Sequence, residues 1–237
     1  MHTPKLLEAD IKARLITHLY NKGHLSDDSL VISELTIGGF SRRVDLVVAT
    51  PNGLTAYEIK SASDNLNRLT GQVEDYLKYF DKVIVVADTK HTPQALKSTD
   101  KNVGILEVSG NKFTIRRRGI KSKVSNKSSL ISFLTATEIS KLATSSFKSS
   151  NRARQRNEVL KTISIKRLRT EVYKYLQRKF SLTSKNLLEK LNSDTELSTQ
   201  DIEELSIYIA DRRLQNEKKA QKSQLWSTWE AELSLSA

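Results

Sequence analysis

Arg43-Val44-Asp45-Leu46-Val47-Val48-Ala49-Thr50-Pro51-Asn52-Gly53-Leu54-Thr55-Ala56-Tyr57-Glu58-Ile59-Lys60 is two β-type runs joined by a turn signal. Asn-Gly between β-branched and aromatic runs is a strong local hairpin signal. With Asn52-Gly53 as a two-residue turn, Pro51 faces Leu54, Asp45 faces Lys60 and Val47 faces Glu58. Residues directly opposite share a face, as do residues two apart on one strand. This register predicts Asp45, Glu58 and Lys60 on one side of the ribbon, with Glu58 and Lys60 about 7 Å apart. Val44, Leu46, Tyr57 and Ile59 are expected on the other side. A different loop length would shift the register.

The flanks extend the pattern. Leu6, Leu7, Ile11, Leu15, Ile16 and Leu19 repeat at helical spacing and predict a first helix that ends before Gly23. Residues 30–37 form a β-type run that breaks at Gly38-Gly39. Leu66, Leu69, Val73, Leu77 and Phe80 make one apolar stripe over residues 64–80. Residues 82–87 are nearly all apolar, as expected of a strand buried on both faces. Weaker strands are expected at 103–108 and 112–116. Helix, three strands, helix, buried strand and further strands predict an α/β fold, a mixed sheet flanked by helices.

Two carboxylates and an ammonium within a few ångströms repel or pair wastefully unless something binds there. A hard divalent cation resolves the repulsion. Mg²⁺, or Mn²⁺ in its place, suits the oxygens of Asp45, Glu58 and the Ile59 backbone carbonyl. Lys60 is then placed to steer an attacking water and to balance charge on a phosphate. On the next helix Arg68, Gln72 and Tyr76 fall at i, i+4 and i+8, on one flank of the apolar stripe.

Asp45, Glu58-Ile59-Lys60 and Gln72-x-x-x-Tyr76 together resemble the PD-(D/E)XK nuclease superfamily, whose core is restriction-endonuclease-like. The Gln-x-x-x-Tyr element is similar to that of the lambda-exonuclease and RecB-type groups. The resemblance covers about residues 4–110 and implies Mg²⁺-dependent phosphodiester hydrolysis. It implies that Asp45 and Glu58 are metal ligands, that Lys60 assists the nucleophile, and that Gln72 and Tyr76 contact substrate or order the site. A further upstream acid is usual in the superfamily. Glu34 is the candidate here, and Glu8 on the first helix the alternate. Val44 stands where the superfamily commonly has proline.

Charge points the same way. The 237 residues carry a net charge of +12, and residues 120–181 alone hold 15 basic and 3 acidic side chains. Such a block attracts a polyanion. Arg43, Arg68, Tyr76, Arg152, Arg154, Arg156, Lys166, Arg167, Arg169, Lys174 and Arg178 are the candidate nucleic-acid contacts, with DNA favoured over RNA as partner. The absence of cysteine excludes disulfides, thiolate zinc sites, iron–sulfur clusters and cysteine nucleophiles. The lack of a Walker-type loop argues against an ATP-driven motor. No apolar run is long enough to span a bilayer, and the first twenty residues read as an amphipathic helix rather than a secretory signal, so a cytoplasmic protein is expected.

The expected organisation is a nuclease-like domain over 1–119, a basic linker with a short helix over 120–150, and a helical region over 151–237. In that last region Trp226 and Trp229 suit a protein partner or a homo-oligomer contact. The alternative function is a catalytically silent DNA-binding or partner-docking protein with the same fold, in DNA repair, a mobile element or phage defence.

Overall fold

A computed structural model describes residues 6–38, 42–143, 151–193 and 195–205. Six strands form one sheet: β1 (Leu30–Ile37), β2 (Arg42–Thr50), β3 (Gly53–Lys60), β4 (Lys82–Asp88), β5 (Gly104–Ser109) and β6 (Lys112–Arg117). They lie side by side in chain order. The β3–β4 and β4–β5 pairs are parallel and the other three antiparallel. Each parallel step carries a helix in its crossover, α2 (Leu69–Tyr76) and α3 (Thr92–Ser98). The fold is therefore the expected mixed α/β sheet with helices on its faces.

The hairpin turns two residues away from the expected register. Thr50 pairs with Gly53, so the loop is Pro51-Asn52. A type I′ turn over Asn52-Gly53 needs positive φ at both residues, and Asn52 is not among the residues with positive φ. Pro51 instead takes the turn position its fixed φ favours, and glycine follows at the exit. Gly53 adopts φ +154, and a Cβ there would lie 2.6 Å from Asp81 Oδ2. A two-residue shift of register by itself preserves which face each side chain meets.

Two apolar clusters sandwich the sheet. On one face Ala56, Val83, Val85 and Ile105 pack against α2, α4 (Lys127–Ile131), α5 (Ala136–Leu142), α6 (Arg152–Thr162) and the first half of α7 (Ile165–Asn192). On the other, Tyr57, Ile59, Val86 and Leu106 pack against α1 (Glu8–Asn21), the end of α7 and α8 (Thr199–Glu204). The divisions expected at 119/120 and 150/151 coincide with no separate core among the described residues, because α4–α7 share one cluster with the sheet. No helix of the described residues is long and apolar enough to cross a membrane.

The helix α7, 28 residues and about 42 Å long, reaches both faces. Leu168, Val172, Leu176 and Phe180 enter the first cluster; Leu187, Leu188 and Leu191 enter the second. At the crossing, Ser184 Oγ accepts the Val31 N–H at 3.0 Å and donates to the Val31 carbonyl at 3.2 Å. A hydroxyl thus stands in for a ladder partner on the edge strand, which would otherwise invite another chain.

Arg169 is not a free nucleic-acid contact. Its guanidinium grips both oxygens of Asp81, Nη1 to Oδ1 at 2.8 Å and Nη2 to Oδ2 at 2.7 Å. Asp81 is 2% exposed and also accepts the N–H groups of Leu54 and Val124. Burial alone would raise the Asp81 carboxyl, but Arg169 and the two N–H donors outweigh it and hold it below the ordinary aspartate value. Removing one partner of a buried pair costs about 3–5 kcal/mol, and Arg169→Met is expected to lose that much in urea denaturation at pH 7. A group with a lowered native pKa contributes its full stability above the unfolded value of about 3.9 and loses it as pH falls through the native one. The deficit of the variant should therefore shrink when the titration is repeated near pH 3.

Candidate active site

The site forms where β1 and β2 both turn over. Regular alternation would put Ile32 and Leu35 on opposite faces, yet both enter the same cluster, as do Val44 and Val47 across the ladder. Val31, Leu46 and Val48 lie in the other cluster. The register is the same on both sides of the break, Ser33 to Leu46 and Leu35 to Val44, and the Glu34–Asp45 rung drops out. Glu34 takes φ +61, a left-handed backbone that costs a non-glycine residue about 1–2 kcal/mol. Val44 therefore joins the α2 face, not the face of Leu46, Tyr57 and Ile59 as alternation predicts.

Asp45 sits at this turnover, partly buried. The β2–β3 ladder ends at Leu46–Tyr57, and beyond it the Ile59 N–H donates to Asp45 Oδ2 at 2.7 Å. The carboxylate thus lies against β3 between Glu58 and the first helix. Burial first, then the charges of Glu58 and Glu8, push the Asp45 carboxyl well above its ordinary value. A carboxylate so placed gains strongly from an added cation.

Glu58 and Lys60 point together from β3 toward α2. Lys60 Nζ donates to Glu58 Oε1 at 2.7 Å, and the two residues are 9% and 1% exposed. The Tyr76 hydroxyl lies 2.8 Å from Glu58 Oε2 and 3.0 Å from the Arg43 carbonyl. Its ring is fully buried, so Tyr76 orders Glu58 and does not contact nucleic acid as expected. Burial, then Glu58, raise its ionisation far above the ordinary tyrosine value, which keeps it a neutral donor. The Gln72 side chain lies beside the same hydroxyl, and its Oε1 is buried with no partner among the described residues. Just past Lys60, Asp64 accepts the Ser61 N–H at 2.7 Å and the Ser61 hydroxyl at 2.6 Å, pinning the strand end.

The first helix supplies a residue the sequence reading overlooked. Lys12 is 4% exposed. Its Nζ lies 2.8 Å from Glu8 Oε1 and also pairs with Glu34 Oε1. Burial draws the Lys12 ammonium down, but Glu8 and Glu34 more than offset this and leave it above the ordinary lysine value. One oxygen each of Glu8, Glu34 and Asp45 lies within 4.8 Å of the others. The second oxygen of Glu34 pairs with Arg43 Nε at 2.5 Å. Both Glu34 oxygens are thereby taken by protein cations, which weighs against it as the further metal ligand. The signal was present: Lys12, Ile16 and Leu19 share the helical spacing of buried positions.

The expected nucleic-acid contacts divide in two. Arg68, at the start of α2, and Arg152, Arg154, Lys166 and Arg167, in the first turns of α6 and α7, are exposed. Arg178 pairs with Glu138 at 2.5 Å, Lys174 with Glu171 at 3.5 Å, and Arg156 donates to the Ser128 carbonyl at 3.2 Å. Trp226 and Trp229 lie outside the described residues.

A family model described as Bacteriophage P4 protein cII matches residues 1–206. The chain belongs to that family. Protein cII of Enterobacteria phage P4 is 33% identical over 208 residues, 85% of this chain and 78% of that protein. Among solved structures, the SPO1766 protein of unknown function from Silicibacter pomeroyi is similar with a TM-score of 0.43 and 16% identity, over 79% of this chain and 92% of that one.

A hydrogen bond to a charged group contributes about 1.5–3 kcal/mol. Tyr76→Phe deletes the donor to Glu58 while keeping the buried ring, and a loss of that size is expected in chemical denaturation. A denaturation midpoint equal to wild type would show that the hydroxyl does not hold Glu58.

Proposed function

We propose that this chain is a metal-dependent nuclease that hydrolyses phosphodiester bonds, with DNA as the favoured substrate. The observation that carries the reading is an Asp45 carboxyl, at the end of the β2–β3 ladder, that feels the charge of Glu58, itself paired with Lys60. There a buried Glu58–Lys60 pair lies beside an aspartate whose negative charge is poorly compensated. The donor set fits a hard cation. Asp45 and Glu58, with the Ile59 carbonyl, would hold Mg²⁺ or Mn²⁺. A bound divalent ion at such a place polarises a phosphoryl oxygen and makes water a competent nucleophile at neutral pH.

The side chains have defined parts in this reading. Glu58 orients the Lys60 ammonium, which neutralises charge on the attacked phosphate and holds the attacking water by its lone pair. Tyr76 and Gln72 keep Glu58 fixed from the α2 side. The exposed cations at the starts of α6 and α7 would hold phosphate without reading sequence. Neither helix has an acidic residue in its first turn, and cations there oppose the helix dipole. A helix N-terminus with added cations suits an anionic ligand better than it suits the helix.

One observation favours a second reading, a catalytically silent nuclease-fold protein that binds DNA or docks a partner. Lys60 and Tyr76 occupy both oxygens of Glu58, so the pair is satisfied without a ligand.

End-labelled linear and closed circular DNA, incubated with and without Mg²⁺, separate the two. The nuclease reading expects cleavage that chelation abolishes. Asp45→Asn, Glu58→Gln and Lys60→Met should each lower it by about 10²-fold or more, the scale of lost electrostatic stabilisation. DNA retention without cleavage in either Mg²⁺ or Mn²⁺ supports the silent reading. Cleavage undiminished in Asp45→Asn would falsify the site. Lys166→Ala and Arg167→Ala should each weaken binding evenly across sequences and reduce the salt slope by about one.

A further inference from the structure

We propose that the Lys12 ammonium is a built-in cation standing where a second divalent ion would bind, so that the site takes one metal ion and no more. The inference rests on the metal-dependent reading above and specifies how many ions that site accepts.

Two-metal phosphodiesterases hold their ions about 3.5–4 Å apart and share carboxylates between them. The present site has the carboxylates for such a pair: Asp45 and Glu58 on β2 and β3, and Glu8 and Glu34 beside Asp45. The Glu8, Glu34 and Asp45 oxygens, all within 4.8 Å of one another, outline a second cation position. Lys12 already fills it. Nζ contacts Glu8 at 2.8 Å, pairs with Glu34, and lies 3.5 Å from Ser33 Oγ, so three oxygens surround one ammonium. The residue is almost wholly buried, and its helix packs Ile11, Leu15 and Ile16 against the sheet.

Charge decides how many ions fit. Glu8, Glu34, Asp45 and Glu58 bring four negative charges to this end of the sheet. Lys12, Arg43 and Lys60 return three positive ones, each in a direct ion pair. The charge left over belongs to Asp45, which takes only the Ile59 N–H among the described residues. One divalent ion between Asp45 and Glu58 more than balances it and leaves a positive centre for a phosphate. A second would put like charges beside an almost wholly buried ammonium, where they are poorly screened.

Manganese binding to the full-length chain, counted by electron paramagnetic resonance of the free ion and by equilibrium dialysis, tests this without any turnover. Wild type is expected to bind one Mn²⁺ per chain and Lys12→Met one more. Lys12→Arg, which keeps the charge, should bind the wild-type number. Thermal unfolding gives a second readout: Lys12→Met leaves three acids facing one another and should melt lower. Millimolar Mn²⁺ should restore more of its melting temperature than it adds to wild type, because ligand binding to the native state stabilises it. Two ions on wild type, no gain in Lys12→Met, or a variant that Mn²⁺ fails to rescue overturns the inference and leaves the nuclease reading intact. A wild type that binds no Mn²⁺ overturns both.

Discussion

A β-strand places successive side chains on opposite faces, and a charged residue in a sheet covered on both sides would ordinarily be driven into one apolar layer or the other. At Glu34 and Asp45 the protein avoids this by turning both strands over at one rung. Because β1 and β2 reverse together, the ladder resumes with the register unchanged. The two acids are left outside the alternation, and the end of the β2–β3 ladder leaves the Ile59 N–H free to be taken by a side chain. The left-handed backbone of Glu34 costs about 1–2 kcal/mol, and the ion pairs to Lys12 and Arg43 offset it. The placing of Glu34 and Asp45 in the candidate site follows from this break.

A break of that kind survives only in a stiff frame, and the frame is built from distant parts of the chain. The far end of the hairpin is fixed where Asp81 fills the space beside Gly53 and takes the Leu54 N–H. The same carboxylate receives Arg169 from α7. That helix runs on past the edge of β1, where Ser184 completes the backbone hydrogen bonds of Val31 just three residues before Glu34. One buried charge pair and one hydroxyl therefore tie the C-terminal helices to the strands that carry the acids. For this reason the helical region shares a core with the sheet.

What the sequence made legible was local. The apolar run at 82–87, the hairpin and the amphipathic first helix are patterns over a few residues, and each corresponds to an element of the structure; of the site residues, Glu58 and Lys60 are in direct contact. The turn type escaped because Asn-Gly signals φ preference while Pro51 fixes φ outright, and the fixed angle prevailed. The turnover escaped because alternation is assumed when faces are assigned, and nothing in Ser33-Glu34-Leu35 announces left-handed glutamate. Arg169 reads as one cation in a basic block, and only the partner 88 residues away distinguishes it. Lys12 was hidden by its type: a lysine on an apolar stripe is easily taken for a surface residue whose stem snorkels.

The distribution of cations carries a further physical point. Several near the sheet are paired with acids: Lys12, Arg43 and Lys60 at the site, Arg42 with Asp75, Arg116 with Glu107 and Arg169 with Asp81. The exposed cations at the starts of α6 and α7 face helix termini of the same sign. Paired cations are explained by the fold, because removing them would strand a carboxylate. Cations that oppose the dipole of their own helix lower its stability, and those at the starts of α6 and α7 have no acidic partner among the described residues. In the proposed reading, a phosphate backbone lying across the two helix N-termini would supply their counter-charge. In that reading the chemistry proposed at Asp45 and Glu58 and the basic helical region would address one class of molecule from two parts of one core.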